Sequence, residues 1–180
     1  MKIIRVNDTP SGTDVVFHPD STLLLTERPM FYPDFGGSWH AVIYLAVHIN
    51  RLGKGVSIKF APRYYDGVTL ALHSIPAEKD ILPHGILTGM DNSITHGLWL
   101  APEMLPRLTS VCINGIETNL GLPDMDYINR MVSWVSTHTT IRTGDLLLIP
   151  SVAEPLTLRP RSWIEITADD GQKILSLKIV

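Results

Sequence analysis

The chain has 180 residues, of which 15 are Lys or Arg and 18 are Asp or Glu, so its formal net charge is −3. This near balance gives no electrostatic reason to expect a nucleic-acid or membrane-surface partner. Apolar residues make up 44% and charged residues 18%, a composition typical of a well-filled core rather than of disorder. With no long apolar segment, the sequence predicts one cytoplasmic domain spanning residues 1–180.

The most regular strand pattern runs from Trp39 to Ile49. The odd positions are all apolar: Trp39, Ala41, Ile43, Leu45, Val47 and Ile49. The even positions form a mixed face that could line a cavity: His40, Val42, Tyr44, Ala46 and His48. His40 and His48 lie about 26 Å apart along such a strand and cannot share a metal ion.

Further elements follow in chain order. A short helix is predicted from Ser57 to Tyr65, although Pro62 weakens it. After a turn at Asp66-Gly67, alternating apolar residues from Val68 to Leu72 predict another strand. His84 and His96 stand in loop-like sequence, where we expect solvated surface side chains.

Two hairpins are predicted in the second half of the chain. Asn114-Gly115 tolerates the positive φ angles of a type I′ turn, and apolar residues flank it. The stretch Asp169–Gly171 separates two strand-like segments near the C-terminus. Cys112, the single cysteine, stands beside the first turn and is expected to be a buried, inert thiol. A lone cysteine excludes an intrachain disulfide and a cysteine-built zinc site.

The longest helix is predicted from about Pro123 to His138. Pro123 suits the first helical position, and Asp124 and Asp126 complement the positive end of the helix dipole. An apolar stripe follows at helical spacing: Met125, Ile128, Met131, Val132 and Val135. Because strands outnumber helices without regular alternation, the sequence predicts a β-rich α+β fold.

Local motifs predict no reaction. The chain contains no nucleophile elbow, no phosphate-binding loop, no dinucleotide-binding glycine motif and no paired-histidine zinc motif. Gly53-Lys54-Gly55 lacks the remaining residues of a phosphate loop and is interpreted as a turn.

Several segments taken in order nevertheless resemble the fumarylacetoacetate hydrolase family. The segments that carry the resemblance are residues 16–24, Pro33-Asp34-Phe35 followed by His40, residues 49–54 and 59–66, Asp91-Asn92-Ser93, Ile113-Asn114-Gly115, Asp124-Met125 and residues 143–146. Each motif alone is weak, but their order and approximate spacing hold from about residue 16 to the C-terminus.

The resemblance implies a mixed β-sandwich roll like the C-terminal domain of that family, usually assembled as a homodimer. Its members use Mg²⁺ or Ca²⁺, held by carboxylates, to cleave or decarboxylate substrates of the β-keto-acid type. The metal binds the keto and carboxylate oxygens of the substrate and stabilises the enolate-like charge that develops.

The metal ligands of the family are missing from this chain. By the resemblance, the Glu-x-Glu pair falls on Val42 and Tyr44, and the aspartate falls on His73. No carboxylate lies between Phe35 and Asp66, so no small shift of alignment restores the pair. Since Mg²⁺ and Ca²⁺ prefer oxygen ligands, we expect no metal cofactor at this site.

Other positions of the family pattern also differ. The lysine of the family falls near Thr88, its Arg-Asp pair on Ala77 and Glu78, and its glycine-rich loop on residues 149–154. Asp91, Ser93 and Asn119 match more closely and are further pocket candidates.

The sequence therefore predicts a degenerate member of the family, without metal-dependent carbon–carbon bond cleavage, that acts as a binding or assembly subunit. Its expected partner is a second copy or an active relative, with a small-molecule ligand of unknown identity. The alternative is a hydrolase or decarboxylase of keto-acid-type substrates that uses His40, Tyr44 and His73 in a remodelled pocket. Ordinary metal-dependent activity is a third interpretation.

Overall fold

The computed structural model describes residues 1–9, 12–25, 28–78 and 80–180. Its strands are β1 (Lys2–Thr9), β2 (Gly12–Pro19), β3 (Trp39–Ile49), β4 (Tyr65–Pro76), β5 (Ile94–His96), β6 (Ser110–Ile113), β7 (Ile116–Asn119), β8 (Leu146–Pro150), β9 (Leu156–Thr157), β10 (Ser162–Ala168) and β11 (Lys173–Ile179). The α-helices are α1 (His84–Gly89) and α2 (Met125–His138), and 3₁₀ helices span Asp20–Thr22, Ile58–Arg63 and Pro102–Leu108.

The larger sheet has the strand order β2-β1-β8-β3-β4-β5, with β9 paired to β3. Strands β1 and β8 are parallel and the other pairs are antiparallel, so the sheet is mixed. Beyond β2 the chain reaches the opposite edge of this sheet, where Leu23 bridges in parallel to Ile94. The Leu24 N–H also donates to the Ile94 carbonyl at 2.7 Å. The sheet therefore closes on itself as a roll.

The two faces of β3 belong to two hydrophobic clusters, whereas the sequence pattern predicted one apolar face and one mixed face that could line a cavity. Its odd positions join the large core outside the roll, together with residues of α2 and the second sheet. Tyr44 and Ala46 face inward and pack in a smaller cluster, which we call the roll interior. Its buried members are Ile3, Tyr44, Ala46, Ala71, Ile94, Leu146 and Leu148.

Helix α2 covers the outer core with its apolar stripe. Ile128, Val132 and Val135 are at most 2% exposed. The predicted span is close, but the helix begins at Met125, with Asp124 as its N-cap, so Pro123 precedes the helix instead of starting it. The other predicted helix, near residues 57–65, is a 3₁₀ helix around Pro62, which has no N–H for an α-helical hydrogen bond. No helix in these described ranges is both long and apolar enough to cross a membrane.

The second sheet has the order β11-β10-β6-β7 and contains both predicted hairpins. Asn114 and Gly115 adopt φ angles of 48° and 86°, as a type I′ turn requires. Two expectations need correction here. Cys112 is partly exposed, because its side of the short strand β6 is incompletely covered. His96 lies in β5 and packs against Trp99, with ring centroids 4.9 Å apart, rather than standing free in a loop.

Candidate functional site

The three positions to which the resemblance assigns metal-binding carboxylates, Val42, Tyr44 and His73, lie close together at the roll interior. Val42 and His73 are directly opposite each other in the antiparallel pairing of β3 and β4. Tyr44 follows two residues later on the same face of β3, and its ring centroid lies 6.3 Å from that of His73. Tyr44 is 5% exposed and His73 is 2% exposed. The three residues are therefore neighbours on the adjacent strands β3 and β4.

Two further side chains complete this cluster, and sequence analysis gave neither a role. Arg5 on β1 places its Nη1 atom 3.3 Å from His73 Nδ1. His18 on β2 packs its ring against that of His73 in an edge-to-face arrangement, with centroids 5.0 Å apart. We call Arg5, His18, Tyr44 and His73 the roll cluster. Strands β2 and β4 approach each other only because the sheet closes, so no local sequence pattern could have revealed these contacts.

The hydrogen-bond partners determine which nitrogen of each imidazole carries the proton. A guanidinium only donates, so His73 Nδ1 is an acceptor and the proton of the neutral ring is on Nε2. His18 Nδ1 lies 2.9 Å from the Thr88 carbonyl oxygen, which only accepts, so this nitrogen carries the proton. His18 Nε2 is then an acceptor when the ring is neutral.

Burial keeps both rings neutral. Desolvation, reinforced by the Arg5 charge and by His18, lowers the pKa of His73 to about 3. Desolvation and Arg5 also lower the pKa of His18, while its hydrogen bond to Thr88 acts in the opposite direction and His84 lowers it further. At neutral pH the guanidinium of Arg5 therefore carries the positive charge of the cluster.

The roll cluster is a poor match for a divalent metal ion. Val42 has no ligating atom, and the one lone pair of neutral His73 at Nδ1 faces the Arg5 guanidinium. The positive charge of Arg5 would also repel a divalent ion. The interaction energy of two unit charges 4 Å apart near a protein surface is roughly 4 kcal/mol. In the described ranges, no group of three or more His, Cys, Asp or Glu residues is arranged to hold a metal.

The remaining sequence candidates lie outside the roll cluster. His40 is on the same face of β3 as Tyr44 but precedes it by about 13 Å along the strand. It lies opposite Ile75 and Thr157 in the neighbouring strands. Asn119 lies at the end of β7 in the second sheet, and its side-chain oxygen accepts from the Gly121 N–H at 2.9 Å.

Asp91 and Ser93 line a separate cavity of about 540 Å³. Ser93 is buried and donates to the Met90 carbonyl at 2.7 Å, whereas Asp91 is exposed. Ser74, which also lines this cavity, follows His73 on β4 and so points to the opposite side of the strand. A second cavity, of about 590 Å³, is lined by both Trp99 and Trp163 and lies between β5 and β11.

Comparison of the structure with solved structures identifies the fold. A 5-carboxymethyl-2-hydroxymuconate delta-isomerase from Mycobacterium smegmatis superposes with a TM-score of 0.78 at 20% identity, covering 99% of this chain and 78% of that one. A fumarylpyruvate hydrolase from Pseudomonas aeruginosa, solved with Mn²⁺ and pyruvate, gives 0.78 at 15% identity, with 100% and 89% coverage. A Yersinia pestis CO92 protein assigned to the fumarylacetoacetate hydrolase family gives 0.79 at 21% identity, with 99% and 92% coverage.

These likenesses confirm the predicted fold class: the chain has the β-rich, mixed-sheet fold of fumarylacetoacetate hydrolase family proteins. No protein-family model and no curated protein sequence matches the chain. At 15–21% identity these likenesses establish the fold alone, because one fold can carry different activities.

Proposed function

We propose that the chain is a divergent member of the fumarylacetoacetate hydrolase family that acts as a cytoplasmic binding or assembly subunit without the metal-dependent chemistry of that family. The observation that carries the proposal is the Arg5–His73 contact of 3.3 Å. It occupies the position where the resemblance places carboxylates around a divalent cation. The guanidinium of Arg5 thus lies beside the residue to which the resemblance assigns the aspartate of the family.

The surroundings of this contact support the proposal. His73 is nearly fully buried, and it is bordered by Tyr44 and by the apolar side chains of the roll interior. Carboxylate ligands of a metal ion would place ionised oxygen atoms in this space. The side chains of Val42 and Tyr44 provide no such atoms. Fold and site are separable, so the roll can persist after its original chemistry is lost.

Isothermal titration calorimetry with Mg²⁺ and Mn²⁺ tests the loss of the metal site. We expect no saturable heat at millimolar metal, because the described donor set lacks anionic oxygens. The Pseudomonas aeruginosa hydrolase that was solved with Mn²⁺ is a suitable positive control. A submillimolar site that disappears in a His73→Asn variant would contradict the proposal.

A second candidate is an enzyme with remodelled, metal-independent chemistry. It is favoured by the proximity of Tyr44 to His73, with ring centroids 6.3 Å apart, since a phenol and an imidazole can exchange protons. Its weakness is that a ring with a pKa of about 3 is a poor base at neutral pH. Turnover of a β-keto acid without added metal, lost in both Tyr44→Phe and His73→Asn, would establish this alternative.

A further inference from the structure

One surface segment between β3 and β4 combines positive charge with exposed apolar side chains. Residues 51–63 contain four cationic side chains and no acidic one, although the whole chain has a net charge of −3. All four cations are exposed, and so are three large apolar side chains: Leu52 is 65% exposed, Ile58 53% and Phe60 44%. We call this surface the basic patch; its members are Arg51, Leu52, Lys54, Ile58, Lys59, Phe60 and Arg63.

Contacts with two aromatic rings bring the ends of this segment together. The guanidinium carbon of Arg51 lies 5.9 Å from the centroid of the Tyr64 ring. Within the neighbouring 3₁₀ helix, the guanidinium carbon of Arg63 lies 5.1 Å from the centroid of the Phe60 ring. The Lys59 ammonium lies 5.9 Å from the same centroid. Cationic and apolar groups therefore adjoin one another on the surface.

The positive charges of the basic patch lack counter-charges. Among the described residues, none of its four cations belongs to an ion pair. Asp66, the next carboxylate along the chain, pairs instead with His48 at 2.6 Å. Lys54 donates to the Thr137 carbonyl oxygen at 3.0 Å, a contact that leaves its charge uncompensated. The patch therefore attracts an anionic partner.

Two kinds of anionic or apolar partner fit this surface poorly. A second copy of the chain, docked patch to patch about a two-fold axis, would place the four cations of each copy against those of the other. Single-stranded nucleic acid binds through bases that stack on open aromatic faces. Leu52 and Ile58 have no ring, and cations already lie against the ring of Phe60.

An anionic membrane surface matches both properties of the patch. Lys and Arg side chains around exposed Leu and Phe side chains are typical of protein surfaces that lie at the boundary of lipid headgroups and acyl chains. We propose that the basic patch binds an anionic lipid membrane, with its cations at the headgroups and Leu52, Ile58 and Phe60 at the acyl boundary. The net charge of the whole chain does not reveal this surface, because acidic residues elsewhere offset it.

Sedimentation of the full chain with lipid vesicles tests the proposal. In about 0.1 M salt we expect saturable binding to phosphatidylcholine vesicles with about 30% phosphatidylserine, and binding at least about tenfold weaker to phosphatidylcholine alone. Raising the salt to about 0.5 M should weaken binding, because salt screens the attraction between the patch and the lipid. Equal binding to both vesicles, or none to the anionic ones, would overturn the proposal. No metal enters this test, so its outcome is independent of the proposed loss of the metal site.

Matched charge variants locate the membrane-binding surface. Arg51→Gln combined with Arg63→Gln should weaken binding to the anionic vesicles by about 25-fold, or about fivefold for each cation. The control is Arg159→Gln combined with Arg161→Gln, which removes the same charge from another exposed segment and should change binding by less than about twofold. Circular dichroism checks that both variants fold. Equal losses in the two variants would overturn the proposal, because net charge would then suffice.

Apolar variants distinguish a membrane from other anions. Leu52→Ser combined with Phe60→Ser should weaken binding to the anionic vesicles at least about fivefold, since these side chains contact the acyl boundary. Unaltered binding in this variant would overturn the proposal. Saturable binding of a single-stranded oligonucleotide or of polyglutamate, without binding to the vesicles, would also overturn it and would identify a nucleic acid or an acidic protein segment as the partner.

Discussion

His73 combines nearly complete burial with a direct contact to the Arg5 guanidinium. Both features disfavour the imidazolium form, and so they link protonation of this one residue to unfolding. The pKa of His73 is about 3 in the folded protein, against 6.5 for the ordinary side chain. Between these values the unfolded chain binds a proton that the folded chain does not.

The stability of the protein should therefore fall as pH decreases from 6.5 toward 3, and the contribution of His73 should be fully present above 6.5. Between pH 6.5 and 5 we expect His73 to lower the free energy of unfolding by about 1–2 kcal/mol. Urea unfolding across this range measures the effect. In His73→Asn the decline should be smaller by that amount, although His18 contributes in the same direction. The prediction would be contradicted if the free energy of unfolding of the original chain and of His73→Asn fell equally between pH 6.5 and 5.

Asp145 shows how a single buried carboxylate joins two strands. It is 1% exposed and accepts from the Lys2 N–H at 2.8 Å and from the Arg142 N–H at 2.9 Å. The Lys2 ammonium lies 3.2 Å from Oδ2 of Asp145, the oxygen that also accepts from the Arg142 N–H. These contacts hold the start of β1 beside the start of β8, and they give the Gly144-Asp145 segment a structural role.

Asp145→Ala should lower the free energy of unfolding by about 2–4 kcal/mol, since two backbone donors and an ammonium lose their acceptor. Asp169→Ala is the matched control, because Asp169 is exposed in the turn between β10 and β11, and we expect a change within about 0.5 kcal/mol. Chemical unfolding at pH 7 compares the two. A loss below 1 kcal/mol for Asp145→Ala would be too small for the buried role described here.

Among the elements, α2 has the clearest local start signal. The Asp124 side chain accepts from the Tyr127 N–H at 2.7 Å, and the Asp124 backbone is extended, as an N-cap requires. The helix then presents its apolar stripe to the outer core and contacts the 3₁₀ helix Ile58–Arg63.

Replacing this cap should weaken the helix without disturbing the roll. We expect Asp124→Ala to lower the free energy of unfolding by about 1 kcal/mol, and Asp124→Asn, which keeps an accepting oxygen, to cost much less. Thermal and chemical unfolding report the difference. Equal losses in the two variants would show that charge near the helix dipole, rather than the capping hydrogen bond, is responsible.

For the whole molecule, the proposal of a homodimer is supported by large apolar side chains at the surface. Val152 is 79% exposed, Phe31 78% and Ile116 70%. With charged residues at only 18% of the chain, an isolated subunit has few charged groups to surround such side chains. An obligate interface would bury on the order of 2,000 Å² or more in total.

Light scattering at micromolar concentration should give a mass twice the 20.0 kDa of the chain. A mass near 20.0 kDa would remove the homodimer and would leave pairing with an active relative as the remaining form of the assembly proposal.

Elements with local signals could be predicted from the amino-acid sequence. The alternation in β3, the positive-φ residues Asn114 and Gly115, and the capped amphipathic pattern of α2 each act over a few neighbouring residues. The absence of carboxylates from residues 36–65 is also a property of the sequence, and it predicts a site without the metal ligands of the family. Chain order also placed Val42, Tyr44 and His73 together through the family resemblance.

The side chains that surround Tyr44 and His73 depend on contacts between distant parts of the chain. Arg5 and His18 lie 68 and 55 positions before His73 in the sequence, and they meet it because the chain after β2 closes the roll against β5. Closure depends on pairing between distant segments, which no periodicity encodes. The same closure removes His73 from water and brings a guanidinium to it, so the charge and protonation of the cluster are properties of the fold rather than of any local segment.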